Sequence, residues 1–247
     1  MKLISLRMQV RSPLFIPKNR SMRFLFLSIF CCLFSCMVIA QTSSSDPVDV
    51  QGWYGVGVKF NLPKKWSLDV DYQTRWINNL SLYNGSYISI TGRKKLGKII
   101  ELGGEYRLAL VKKGVYHRFS FGAEASKKLD KLELSFRLLV QNQLQDFVDP
   151  NKTNDTDAFW RARLGLKYEI NKIWEVYVST EPVMKFSGNY FVDNWRNTAG
   201  VKVRIMPHTK LDLYYIYRPD FAKSSYNRYF NIIGVNIDYS FPKKKKK

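Results

Sequence analysis

The sequence predicts an all-β fold, an up-and-down antiparallel β-barrel that crosses a membrane with its strands. Three observations point there. An apolar N-terminal segment marks the chain for export. Apolar and polar side chains alternate residue by residue along most of the remaining chain. The connections between the alternating stretches fall into a short class and a longer class.

Residues 24–40, FLFLSIFCCLFSCMVIA, come after a stretch carrying Lys18, Arg20 and Arg23, and end with Val38 and Ala40 at the small-residue positions of a cleavage site. Residues 1–40 therefore read as an N-terminal extension and a secretory signal, with Gln41 the first mature residue and Met22 an alternative start. A membrane anchor fits less well, because about 17 apolar residues is the bottom of the spanning range. Leu33-Phe34-Ser35-Cys36 is a loose lipoprotein signal, but cleavage there would leave Met37, Val38 and Ile39 at the new terminus.

All three cysteines, Cys31, Cys32 and Cys36, lie inside this segment, so disulfides and thiolate metal sites are excluded from residues 41–247. The formal charge of +20 falls to +14 without residues 1–40 and to +9 without Lys243 to Lys247. A moderately basic body whose cations alternate with acids is a poor nucleic-acid binder, and no nucleic-acid partner is expected.

Residues 41–51, QTSSSDPVDVQ, form a short polar lead, and residues 52–241 form the barrel. The first strand covers roughly 52–60. The next, WSLDVDYQTRW, puts Trp66, Leu68, Val70, Tyr72 and Trp76 on one face and Ser67, Asp69, Asp71, Gln73 and Arg75 on the other. Strands come next at roughly 86–93, 99–110 and 115–126. LELSFRLLVQNQ sets Leu132, Leu134, Phe136, Leu138 and Val140 against Glu133, Ser135, Arg137, Gln141 and Gln143. FWRARLGLKYEI sets Trp160, Ala162, Leu164, Leu166, Tyr168 and Ile170 against Arg161, Arg163, Lys167 and Glu169. Strands at roughly 173–182, 196–205 and 210–218 lead to the last, in which Ile233, Val235, Ile237, Tyr239 and Phe241 alternate with small or polar residues. Pro242 stops that strand, and residues 242–247 are a solvated basic tail.

Short connections (NLPKK, KKLGK, KKLDK, EINK, MPHT) alternate with mostly longer ones (QDFVDPNKTNDTDA, KFSGNYFVDN), VKKG being the exception. Short turns on the periplasmic side and longer loops outside are the pattern of an outer-membrane barrel. The strands count to eleven, whereas bacterial barrels have even numbers, so the expectation is twelve, with a strand missed near the N-terminus or in 77–87, and ten is the alternative.

The polar faces decide between a membrane barrel and a soluble one. Successive strands carry arginine and glutamate, and the guanidinium fork pairs bidentately with carboxylates, which suits a desolvated lumen better than a wet surface. The candidate ligand-binding residues are this lattice: Glu105, Arg107, Arg118, Glu133, Arg137, Arg161, Arg163, Glu181 and Arg204. Trp66, Trp76, Trp160, Trp174, Tyr87, Tyr168, Tyr177, Tyr217 and Phe241 lie mostly near strand ends, where girdle residues meet headgroups. The expected location is the outer membrane of a Gram-negative bacterium. The expected partners are its lipids and lipopolysaccharide, and the barrel-assembly machinery that reads the terminal Phe241 strand; a monomer is expected.

Several stretches together, GGEYRLAL, VYHRFSFGAE, LSFRLLVQNQL, FWRARLGLKYEI, EPVMKF and WRNTAGVKVRI running into LDLYYIYRPDF, resemble the domain of unknown function 2490 family of Gram-negative secreted proteins. That resemblance covers most of residues 50–241. It implies an outer-membrane barrel and supplies no catalytic residues.

Catalysis is not expected, nor a cofactor or metal. Lipid hydrolysis needs a histidine beside a nucleophile. Of the two histidines, His117 shares a strand with Ser120 at an odd spacing, which sends the side chains to opposite faces, and His208 sits in the turn MPHT beside Thr209. Asp146, Asp149, Asp155 and Asp157 offer at best a weak Ca²⁺ loop. The expected function is a narrow or gated, porin-like conduit or binding module for a small hydrophilic or amphiphilic ligand. A plugged structural or interaction barrel is the alternative, and a lipid-modifying enzyme a distant third.

Overall fold

The structure, a computed structural model, describes residues 48–112, 114–145, 156–186, 191–221 and 228–242. The signal segment, most of the polar lead, the lysine run and the candidate calcium loop residues Asp146, Asp149 and Asp155 lie outside them.

The strands are β1 (Val48–Asn61), β2 (Trp66–Ile77), β3 (Leu82–Leu96), β4 (Ile100–Val111), β5 (Gly114–Leu129), β6 (Leu132–Gln145), β7 (Thr156–Glu169), β8 (Trp174–Lys185), β9 (Phe191–Met206), β10 (Thr209–Asp220) and β11 (Arg228–Ser240). Each pairs with its sequence neighbours, and β1 pairs with β11, so the described strands close a barrel of eleven. This corrects the expectation of twelve strands, or ten, and of a purely antiparallel wall. Reversing direction at each of ten connections leaves the first and last strands pointing the same way. Closure is accordingly parallel, in register from Val48 opposite Tyr229 to Lys59 opposite Ser240. No strand hides in 77–87: Asn78 to Ser81 form a tight turn, and β3 begins at Leu82. β1 itself begins at Val48, inside the stretch read as a lead.

Local chemistry explains the tight end. Asp130 and His208 adopt left-handed backbone conformations, φ 52° and 67°, in the two-residue turns β5 to β6 and β9 to β10. Gly97, φ 73°, does the same between β3 and β4, where a side chain would be strained. Asn171 accepts the backbone N–H groups of Ile173 and Trp174 on its Oδ1 at 2.8 and 2.9 Å, closing the β7 to β8 turn. His208 is thus a turn residue. At the opposite end, the turn before β3 folds back on β1: Asn79 donates its backbone N–H to Asp49 at 2.8 Å.

Each strand keeps one face in and one out. The outward face is aliphatic at mid-strand, where Val56, Leu138, Leu164 and Val178 are each about half exposed. Near the short turns it becomes aromatic: Phe60 stacks on Phe241 with centroids 4.8 Å apart, and Trp66 carries the Lys94 ammonium over its ring. Near the other end it becomes aromatic and polar. Trp195 donates to Thr180 at 2.6 Å, Tyr215 donates to Asn231 at 2.6 Å, and the Tyr106 hydroxyl meets His117 Nδ1 at 2.8 Å.

Two of the aromatics assigned to this outer girdle face inward instead. Tyr87 lies against the Arg75 guanidinium and Tyr177 donates to Asp212 at 2.9 Å, both in the lumen. In each case the neighbours two residues away, Ser89 and Glu175 or Ser179, are lumen residues, and strand parity carries the tyrosine with them.

Candidate functional site: the charged lumen

The inward faces enclose a cavity of about 740 Å³. Its lining runs from Lys59, Arg93, Glu101, Lys167 and Glu175, near the short turns, to Trp53, Arg75 and Ile216 further along the axis. At that level the seam strands turn apolar side chains to the lumen. Trp53 of β1, Ile216 of β10 and Ile232 of β11 form a buried cluster, with Tyr214 and Phe230 packed on it, and Ile232 is wholly inaccessible.

Glycine makes room for this packing at two places. The ring of Tyr214 lies over Gly234 and that of Tyr177 over Gly200, so closely that a Cβ at either glycine would overlap the ring. Both pairs sit directly opposite each other across their strands.

The far wall, β4 to β9, carries the lattice. Glu181 of β8 accepts from Arg137 of β6 at 2.9 Å and from Arg161 of β7 at 2.7 Å. Arg161 also donates to Gln141 at 3.2 Å, and all three of Glu181, Arg161 and Gln141 are buried. Glu105 of β4 accepts from Arg118 of β5 at 2.6 Å, with Arg107 at 3.6 Å. Arg107 donates its Nε to Ser89 at 2.6 Å. Towards the short turns four pairs are one to one: Arg163 with Glu124 at 3.1 Å, Lys167 with Glu133 at 2.8 Å, Lys202 with Asp212 at 3.3 Å and Lys210 with Glu175 at 3.2 Å. Asp69 holds Lys59 at 3.5 Å and is also paired with Arg93.

The structure brings eight of the nine sequence candidates into this one chamber: Glu105, Arg107, Arg118, Glu133, Arg137, Arg161, Arg163 and Glu181. Arg204 is the correction. It has the parity of Lys202 but stands at the tight end of β9, exposed and outside the cavity lining. Asp157, offered as a calcium ligand, is paired with Lys185.

Two arginines outside the candidate set, Arg75 and Arg196, also line the chamber. The Arg75 guanidinium lies between the rings of Trp53 and Tyr87, 3.8 and 3.9 Å from their centroids, while its Nε donates to Gln73 at 2.9 Å. Arg196 of β9 donates its Nε to Asn194 at 3.1 Å. Their inward parity was legible in the sequence. Their distinction, that neither ion-pairs with a carboxylate among the described residues, depends on cross-barrel neighbours that parity does not give.

A closed β-barrel with an aliphatic exterior and an ion-paired lumen is the class these features define. A family model described as "Protein of unknown function (DUF2490)" matches residues 50–229, and the chain belongs to that family. No curated protein matches the chain.

Proposed function

We propose that this barrel stands in the outer membrane of a Gram-negative bacterium, short turns in the periplasm, and serves as a gated conduit or binding module for a small hydrophilic or amphiphilic solute. The observation that carries the reading is the inversion of the faces. Aliphatic side chains encircle the outside between two aromatic belts, while charged groups surround a chamber of about 740 Å³ inside. Apolar groups at half exposure around a whole barrel suit lipid, since a soluble barrel would bury them. Along β11 the aliphatic stretch lies between Asn231 and Tyr239, which at ~3.3 Å per residue and a tilt of ~40° is about 20 Å tall, close to a membrane band.

The partners on this reading are outer-membrane lipids and lipopolysaccharide around the wall, with assembly machinery during insertion, and the barrel acts as a monomer. The role is not catalytic. Ser120 lies buried in the chamber, whereas His117 on the same strand points outward and is bonded to Tyr106.

The cluster of Trp53, Ile216 and Ile232 favours a second reading, a permanently plugged structural barrel. One experiment separates the two. The mature protein is fractionated with outer membranes, checked for heat-modifiable migration, and placed in planar bilayers. Conductance, or saturable solute binding in detergent, supports the conduit or binding role. A folded barrel with neither is a structural plug, and recovery as a soluble periplasmic protein defeats the membrane reading.

A further inference from the structure

We propose that the solute of the chamber is an oxyanion, a small molecule bearing carboxylate or phosphate groups, held by a girdle of arginines in which Arg75 and Arg196 supply the principal binding forks. The inference rests on the conduit-or-binding reading above and names the chemistry of its ligand.

Charge is unevenly distributed along the lumen. Near the short turns, cations and carboxylates are matched. Deeper in, Arg75, Arg107, Arg118, Arg137, Arg161 and Arg196 all line the chamber, and the carboxylates that bridge arginines there are Glu105 and Glu181. Glu105 serves Arg107 and Arg118, and Glu181 serves Arg137 and Arg161. Asp71 lies two strands from Arg107 through Ser89, and no ion pair links it to any of the six. The girdle therefore carries more positive than negative charge inside a low-dielectric wall, where counter-charge is attracted most strongly.

Its donors are also in excess. The buried Nε groups of Arg118, Arg137 and Arg161 have no hydrogen-bond acceptor among the described residues. Arg75 is held in place by aromatic rings, with Gln73 occupying only its Nε, and Arg196 likewise engages Asn194 through Nε. In both, the two terminal nitrogens make no hydrogen bond or ion pair with the described protein groups. A guanidinium with its Nη pair unengaged is a bidentate fork for an oxyanion, and its rigid mounting lowers the entropy lost on binding. Lysine in the same places would offer a point charge without the fork. Rings of basic side chains are how pores select anions.

The test uses the full mature barrel, with refolding of each variant checked by heat-modifiable migration. Reversal potentials are read in a KCl gradient, and citrate and pyrophosphate are titrated both as blockers of current and, in detergent, by calorimetry. The expectation is anion selectivity where current flows, with saturable binding of at least one probe. Arg75→Gln and Arg196→Gln should each weaken that binding by about tenfold or more, the loss of one charge-assisted hydrogen bond. Arg196→Lys, which keeps the charge, should preserve selectivity but still lose affinity. Lys95→Gln, at the short-turn rim, should change neither. Preference between the probes tells phosphate from carboxylate. A conducting barrel that prefers cations, or one indifferent to both probes, overturns the oxyanion assignment and leaves the conduit standing. A barrel with neither current nor binding of any solute overturns both.

Discussion

Glu181→Gln should be among the most damaging single substitutions in the barrel. The Glu181 carboxylate is 6% exposed and sits between Arg137 at 2.9 Å and Arg161 at 2.7 Å. Two unit charges about 4 Å apart interact by about 4 kcal/mol at an effective dielectric of ~20. Glutamine keeps the shape and one acceptor oxygen but loses the charge, so two guanidiniums face one another uncompensated. Removing one member of a buried pair costs about 3–5 kcal/mol, and that is the expected loss here. The assay is urea unfolding in phosphatidylcholine vesicles, monitored by tryptophan fluorescence and by heat-modifiable migration. Adding Arg161→Gln should restore part of the loss, with a coupling of about 2 kcal/mol in the double-mutant cycle. Glu169→Gln is the control: its bond to Lys128, 2.6 Å long, is solvent-exposed and screened by water, and its loss should leave the unfolding midpoint close to that of the unsubstituted barrel. If Glu181→Gln behaves like Glu169→Gln, or the cycle is additive, the lattice does not hold the wall together.

The faces can be tested by charge scanning: Leu138→Arg and Leu164→Arg, on the aliphatic exterior, should each cost about 2–4 kcal/mol, whereas Ser179→Glu, into the arginine-lined chamber, should cost under about 1 kcal/mol; equal costs would mean the faces are exchanged. Gly234→Ala places a Cβ in the ring of Tyr214 and should destabilise by about 1–3 kcal/mol, with rescue by Tyr214→Ala; no loss would refute the close packing. Topology can be read by labelling, because residues 41–247 contain no cysteine. Asn79→Cys should react with a membrane-impermeant maleimide on intact cells and Lys131→Cys only after the outer membrane is opened; the reverse pattern would invert the barrel.

Much of this was legible because β-structure has a period of two. Leu134, Leu138 and Arg137 declared their faces by parity alone, and eight of the nine lattice candidates meet in one chamber for that reason. Tyr87 and Tyr177 went astray when their positions near strand ends outweighed the same parity. Arg204 shows the limit of the rule, since parity gives a face but not a depth, and its strand ends within two residues. The strand count was available as eleven. The evenness of bacterial barrels misled, and the parallel pairing of β1 with β11 could not be seen locally because its partners lie 181 residues apart, Val48 opposite Tyr229. The isolation of Arg75 and Arg196 was hidden for the same reason: which carboxylate an arginine reaches is settled by register across several strands.

Parallel closure also sets where the apolar cluster meets the arginine girdle. With β1 and β11 pointing the same way, Trp53 comes to lie opposite Gly234, the residue over which Tyr214 of β10 leans. Three adjacent strands thereby build the apolar cluster, while β4 to β9 build most of the ionic lattice. Arg75, on β2, belongs to both: its guanidinium is stacked on Trp53, and Gln73, which accepts its Nε–H, lies 3.4 Å from the Tyr214 hydroxyl. An anion taken in the plane of that guanidinium, at its Nη edge, leaves its face stacked on the Trp53 ring, so the bound solute and the apolar cluster hold the same side chain. On the proposed reading, then, solute binding and the packing of the cluster are coupled through one side chain, and Arg75→Gln should sever that coupling, so that citrate or pyrophosphate no longer changes the Trp53 environment read by fluorescence.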